Sequence, residues 1–331
     1  MISKSKKITA FVVTAILLFL LFMVAVNTGS LKLTWGQLFR GLFVDYDEQV
    51  AIVYDLRFPR IFIAMLGGGA TAVSGVLLQA VMKNPLADPG IIGISSGASF
   101  MAVLITGFFP ALFLFVPVFA FLGGILAFFL VYSLSYKDGL SPLRIILVGV
   151  AVNAMFTGLM SAFDAGTGSK LSGVASIVNA NISMKTWSDF RLLLIYTVIG
   201  LVLSFAVSTR CNLLALDDKS IRSLGINVTR NRIVISVIAV LLASIATAVI
   251  GPISFLGLIV PHIARILVGS DHRTLIPYSA IMGALVLLLA DTIGRTIARP
   301  YEISAVVIMS VIGGPFFIAL LRSSGGNYGK N

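Results

Sequence analysis

Long apolar stretches separated by short polar ones run through the whole chain. A helix needs about 20 mainly apolar residues to cross a bilayer. Stretches near 8–26, 61–82, 91–107, 114–133, 145–162, 192–208, 233–250, 253–268, 275–290 and 303–321 meet or approach that length. They predict an all-α integral membrane protein of about ten transmembrane helices. The third and eighth are short, and Pro110 and Pro117 blur the start of the fourth. No stretch is long and polar enough for a soluble domain, so residues 1–331 read as one transmembrane domain. Lys4, Lys6 and Lys7 precede the run Ile8 to Val26, which resembles a signal peptide. The run is long for that role and no small-x-small cleavage site follows, so it reads as an uncleaved first helix.

Ten spans put both termini on one side. With the N-terminus inside, the cytoplasmic segments carry 15 of the 24 lysines and arginines and the outer segments carry 9. Cytoplasmic loops are the basic ones in membrane proteins, so both termini are placed in the cytoplasm. Trp35 and Trp187 then fall outside near span ends, where interfacial anchors are common.

Composition agrees with the pattern. The chain is 58% hydrophobic and 11% charged, with a mean hydropathy of +1.04. A soluble domain has about 25% charged residues. The net charge of +11 would suggest nucleic acid in a soluble protein. Here it reads as the inside bias, and no nucleic-acid partner is expected. Cys211 is the one cysteine, so no internal disulfide framework exists.

Ala70-Thr71-Ala72-Val73-Ser74-Gly75 in the second span matches Ala246-Thr247-Ala248-Val249-Ile250-Gly251 in the seventh at five of six positions. Five spans is an odd offset, which gives the copies opposite orientations. Inverted repeats of this kind are common in transporters, although small apolar residues also match by chance.

Five polar segments stand out. Arg57 and Arg60 share a helical face at the outer end of the second span. Snorkelling or lipid-phosphate contact is the commoner role of such a pair, while its place outside, against the inside bias, suggests an acidic partner. The run from Asn84 to Gly90, with Pro85 and Pro89, makes a tight turn, and Gly93 to Ala98 permits close helix packing. Leu216 to Gly225 reads as a short amphipathic helix in the longest cytoplasmic loop. Asp217 and Asp218 lie at its start, Gly225 at its end, and Ile221 and Leu224 on one face. Its mixed charge fits a protein partner better than a lipid surface. Gly251 to Arg265 holds glycine and proline inside an apolar span and predicts a broken helix. Asp291 and Arg295 are four apart and can pair. His262 and His272, the only histidines, have no neighbouring ligand pattern, so no metal site is expected.

The chain lacks the Gly-x4-Gly-Lys-Ser/Thr phosphate loop and any nucleophile motif. Few acids lie within the spans, which weakens a proton or sodium relay. No cofactor is expected in this chain.

Taken together the segments resemble the permeases of ABC importers for iron-siderophores, haem and cobalamin. The matching stretches are Leu56 to Arg60, Gln79 to Ser96, Leu224-Gly225, Gly257 to His262, Asp271-His272-Arg273, Ala290-Asp291 and Gly314-Pro315-Phe316-Phe317, in the family's order along nearly the whole chain. The resemblance implies a bacterial cell-membrane subunit working with a second permease subunit, two ATP-binding cassette subunits that use ATP, and an extracytoplasmic substrate-binding protein. It implies that Arg57, Arg60 and Arg295 dock that binding protein. It implies that the helix of Asp217, Asp218, Ser220, Ile221, Arg222, Leu224 and Gly225 couples to the ATPase. It puts a cytoplasmic gate at Ser141, Pro142 and Leu143. On family grounds an iron(III)-siderophore leads as cargo, with haem or cobalamin as alternatives. The sequence departs from the family at Ile177 to Ile182 and at Glu302-Ile303-Ser304-Ala305-Val306. An ion-coupled secondary transporter is the runner-up class. An intramembrane enzyme would need a catalytic constellation that the sequence does not contain.

Overall fold

The computed structural model describes residues 2–29, 31, 33–135, 142–168, 174, 182–298 and 301–324. Thirteen α-helices occur among them, with no strand: α1 (Lys4–Asn27), α2 (Trp35–Phe43), α3 (Glu48–Met82), α4 (Ile94–Phe108), α5 (Val116–Ser135), α6 (Pro142–Gly166), α7 (Trp187–Ala206), α8 (Ser208–Leu214), α9 (Asp218–Ser223), α10 (Val228–Ile250), α11 (Leu256–Val268), α12 (His272–Ile297) and α13 (Ala305–Ser324). Eight helical segments are long and apolar enough to cross a membrane, and α4 and α11 are shorter apolar helices. Each of the ten expected spans falls on one of these ten.

The second span differs most from its expected bounds. Helix α3 begins at Glu48, where Asp47 accepts hydrogen bonds from the Gln49 and Val50 N–H groups. It ends where Lys83 takes the left-handed conformation at φ 48°. Its 35 residues span about 52 Å at 1.5 Å per residue, more than a bilayer core of about 30 Å. The apolar pattern marked only the second half, because Glu48, Asp55, Arg57 and Arg60 interrupt the first. Arg57 and Arg60 therefore lie inside the helix and not at its end.

Helix α3 is the axis of the fold, and α10 lies against it. The Ser74 hydroxyl donates to the Ala239 carbonyl at 2.7 Å, while a Cβ on Gly67 would meet Ile250. Residue numbers rise along one helix as they fall along the other, so the two run antiparallel. The repeated hexapeptides thus sit on antiparallel helices, both deep in the core. After α10 the chain breaks as expected. Gly251 (φ 86°) and Phe255 (φ 67°) are left-handed, and α11 starts at Leu256.

Helix α11 reaches α3 through two glycines. A Cβ on Gly75 would overlap the Gly257 backbone, so these chains touch without side chains between them. The turn after α3 is fixed to the same place. Gln79 Nε2 donates to the carbonyls of Ala87 (3.2 Å) and Gly257 (3.0 Å). The fully buried Asp88 accepts from the Gly90 and Ile91 N–H groups at 2.8 and 3.2 Å. From α6, Asn153 Nδ2 donates to the Gly90 carbonyl at 3.0 Å. The Asn84-to-Gly90 run is thus packing, as its prolines and glycine suggested. Helices α1, α6 and α13 turn large apolar side chains outward, Phe19, Leu147 and Val311 among them.

Helix α2 was not expected. It carries a capping box, with Thr34 and Gln37 bonded reciprocally, and buries no residue. The Thr-x-x-Gln spacing was its sequence signal. Trp35 opens this helix half-exposed and does not end a span. Trp187 packs in an aromatic group with Tyr54, 4.8 Å between ring centroids, and Phe190.

Candidate functional site

Two polar clusters lie along α3, one within its first half and one at its C-terminal end, separated by about 35 Å from Arg60 to Lys83 at 1.5 Å per residue. The first joins α3, α12 and the segment before α13. Arg60 grips Asp291 with Nε and Nη2, at 3.1 and 2.9 Å from Oδ1. Its Nη1 meets Glu302 Oε2 at 2.8 Å. Arg295 Nε lies 3.1 Å from Asp291 Oδ2, the expected pair four apart. Arg295 Nη1 also donates to the carbonyls of Ala25 and Thr28, both at 3.4 Å. Arg57 Nη1 donates to the Val26 carbonyl at 3.0 Å.

Burial divides these arginines. Arg60 and Arg295 are each 7% exposed, and Arg57 is half-buried. In this conformation the first two are neutralised from within, so their charge is already engaged by Asp291 and Glu302. Burial works against ionisation of Glu302, but the hydrogen bond and charge of Arg60, with the Ser183 hydroxyl at 2.9 Å, hold its carboxyl below the ordinary value. The sequence singled out Asp291 and all three arginines but gave no role to Glu302 or Ser183. The Glu302-to-Val306 departure packs on α12, where the Ile303 N–H donates to the Gly294 carbonyl at 2.9 Å.

The second cluster surrounds α9. Asp217 is its N-cap residue, without a side-chain capping bond, and Asp218 starts the helix. Gly225 follows its end at φ 74°, and the Gly225 N–H donates to the Arg222 carbonyl at 2.9 Å. Asp218 Oδ1 receives Lys83 Nζ and Arg232 Nη2, both at 3.0 Å. Lys83 Nζ also donates to the Leu216 carbonyl at 2.7 Å. One carboxylate thus pins α9 to the end of α3 and the start of α10. The Lys83 hydrogen bond, joined by the Arg232 charge, holds the Asp218 carboxyl below its ordinary range, against the opposing effect of burial. Ile221 is fully buried, whereas Leu224 is 61% exposed. The expected shared face does not form, because the helix ends at Ser223 and the turn at Gly225 redirects Leu224. Ser220 and Arg222 are exposed.

Near this end, Asn212 bridges the chain to α12. Its Nδ2 donates to Asp271 Oδ1 at 2.7 Å, and its Oδ1 accepts from the His272 N–H at 2.9 Å. His272 Nδ1 also lies 2.7 Å from that oxygen, which assigns the ring proton to Nδ1. Of the expected gate, Ser141 lies outside the described residues, Pro142 opens α6, and Leu143 is exposed on it. Most of the departure at Ile177 to Ile182 also lies outside the described residues; Ile182 is buried.

The model of the FecCD transport family matches residues 17–323. The chain belongs to the FecCD transport family. It is 39% identical over 324 residues to "Probable heme-iron transport system permease protein IsdF" of Staphylococcus aureus, strains Newman and USA300 among others, covering 98% of both chains. A solved ABC transporter assigned to the metal-chelate type, in an inward-facing conformation, superposes with a TM-score of 0.79 at 27% identity, over 96% of this chain and 99% of that one. PsaBC of Streptococcus pneumoniae, solved with a Fab, shares the fold at a TM-score of 0.59 and 17% identity, over 87% and 95% of the two chains. The protein is therefore a FecCD-family ABC importer permease, multi-pass in a bacterial cell membrane.

Proposed function

We propose that this permease imports iron held in an organic chelate, and that the cargo is haem. The observation that carries this reading is the 39% identity, over 98% of both chains, to permeases named for heme-iron transport. A ferric siderophore is the second reading, favoured by the likeness to a metal-chelate type transporter.

The permease works with a second permease subunit, two ATP-binding cassette subunits and an extracytoplasmic binding protein. ATP is consumed by the cassette subunits, and this chain contributes no ATPase site and no cofactor. The outward apolar faces of α1, α6 and α13 serve lipid and the second permease. The Lys83 end is cytoplasmic, in line with the excess of lysine and arginine assigned to that side. There α9 is the coupling helix: Ile221 and Asp218 root it in the permease, while Ser220, Arg222 and Leu224 face the ATPase. At the far end Arg57, Arg60 and Arg295 dock the binding protein. Arg57 is the accessible member. A carboxylate from the partner reaches Arg60 by replacing half-exposed Glu302. The gate at Ser141, Pro142 and Leu143 closes only between two subunits.

The test is iron uptake into cells that carry this permease with its partners, supplied with haem or with a panel of ferric siderophores. Haem uptake that is lost without the permease supports the reading. Siderophore uptake without haem uptake overturns the cargo assignment and leaves the importer standing. Uptake that persists after ATP depletion but collapses with an uncoupler overturns the ATP-driven mechanism.

A further inference from the structure

A cavity of about 290 Å³ opens between the end of α3, helix α8 and the junction of α11 with α12. Its lining includes Gln79, Lys83, Asn84, Arg265, Ser270 and His272. Three of these residues are more than nine-tenths buried, and each carries an atom without a hydrogen-bond partner: Gln79 Oε1, Asn84 Nδ2 and His272 Nε2. The rest of each side chain is fully committed. Gln79 Nε2 serves two carbonyls, Asn84 Oδ1 caps the Leu86 N–H at 2.9 Å, and His272 Nδ1 faces Asn212. A buried polar atom left unpaired costs about 1–3 kcal/mol, and three around one cavity point to something that satisfies them.

Charge points to what that is. Arg265 is half-buried and makes no ion pair among the described residues. The nearby acids are engaged elsewhere: Asp218 holds Lys83 and Arg232, and Asp271 accepts from Asn212. The terminal carbonyls of α11 offer Arg265 about half a negative charge at most. The cavity thus lacks an anion. Arg265, Lys83 and the Asn84 amide are donors. Gln79 Oε1 is an acceptor, and so is His272 Nε2 in the tautomer that its neighbour selects. A phosphate that carries a hydroxyl, or a hydroxylated substituent, matches both sets, and guanidinium suits phosphate geometry. The volume is at the small end of ligand pockets, about 300–1,000 Å³. That fits a headgroup or an inorganic ion and excludes a metal chelate of haem size.

We propose that this cavity binds a phosphate group, either the headgroup of an anionic phospholipid such as phosphatidylglycerol or free phosphate. Lys83 both lines it and holds α9 through Leu216 and Asp218, so occupancy braces the coupling helix against α3.

The test uses the full chain purified in mild detergent, stripped of lipid and titrated with phosphatidylglycerol, phosphatidylcholine or inorganic phosphate. Native mass spectrometry counts bound lipid, and thermal unfolding reads stabilisation. The variants are Arg265→Gln, Asn84→Asp, which keeps the Leu86 cap but sets a carboxylate against the anion, and Arg265→Lys as a charge-conserving control. Phosphatidylglycerol bound in preference to phosphatidylcholine, and weakened about tenfold in Arg265→Gln or Asn84→Asp but not in Arg265→Lys, assigns the site to a lipid headgroup. A phosphate-dependent rise in melting temperature, lost in the same variants and without lipid preference, assigns it to free phosphate. Wild-type protein that neither prefers the anionic lipid nor responds to phosphate overturns the proposal. So does a preference or response that both charge-changing variants retain.

Discussion

Arg60 and Asp291, 231 positions apart in the chain, form a two-pronged ion pair inside the helix bundle. Arg295 takes the other oxygen of the same carboxylate. Two buried cations therefore depend on one buried anion, and Glu302 supplies the second negative charge from the half-exposed rim. The tie joins α3 to α12, the two helices that also meet at Gly68 and Gly283. Asp291 is thus the hub of the Arg60 end of the molecule.

Asp291→Asn leaves Arg60 and Arg295 facing each other with only Glu302 between them. Breaking a buried pair from one side costs about 3–5 kcal/mol. The variant is expected to unfold at markedly lower temperature in detergent and to accumulate poorly in membranes. Glu302→Gln removes a partner from the exposed side, where pairs contribute about 0–1 kcal/mol, and it should melt close to wild type. Equal melting of the two variants would show that Asp291 is not the hub.

The same geometry separates docking from folding. Arg57→Glu changes a half-buried group that has the Val26 carbonyl among its partners, whereas Arg60→Glu destroys the internal network. Arg57→Glu is expected to keep normal membrane levels and wild-type melting, and to lose most affinity for the binding protein. Pull-down with the cognate binding protein and immunoblotting of membranes measure both. Full binding by Arg57→Glu at normal levels would remove Arg57 from the docking surface.

Much of this arrangement was legible in the sequence, and the reasons differ by element. All ten expected spans fall on helices because apolar length is a strong signal. The break at Gly251 and the end of α9 at Gly225 were visible because left-handed backbone favours glycine. The first half of α3 was hidden by its charges. Its two arginines are held by Asp291, Glu302 and the Val26 carbonyl, partners far away in sequence or from another helix. No linear pattern links Arg60 to Glu302 or Lys83 to Asp218. The Leu224 orientation was misread because a periodicity argument assumes that the helix continues, and here it stops one residue earlier.

Asp218 gives a pH dependence with a defined sign. Its carboxyl is held below the ordinary value by Lys83 and then Arg232. A depressed folded-state pKa adds stability that is present above the unfolded value, about 3.9, and is lost as pH falls through the folded value. The anchoring of α9 should therefore be constant from neutral pH down to about pH 5 and loosen only in stronger acid. Hydrogen exchange of the α9 amides across pH, corrected for intrinsic rates, measures it. Asp218→Asn should show the loosened exchange already at pH 7. Protection that changes between pH 8 and 6 in wild type would assign the anchoring to another group.

Gly75 tests the contact that sets α11 against α3. A Cβ there would fall on the Gly257 backbone, which no side-chain rotation can clear. Forcing atoms into a packed core costs about 1–3 kcal/mol, and the helix backbones would have to separate. Gly158 on α6 is the matched control, since a Cβ at that position meets nothing within 4 Å. Alanine is the better helix former by about 1 kcal/mol, so at Gly158 the same change should be neutral or stabilising. Gly75→Ala is expected to lower the melting temperature and weaken the hold on the Gln79 and Asp88 turn. Thermal unfolding of both variants in one detergent reads the difference. A Gly75→Ala protein as stable as Gly158→Ala would mean that α3 and α11 are not in the backbone contact described.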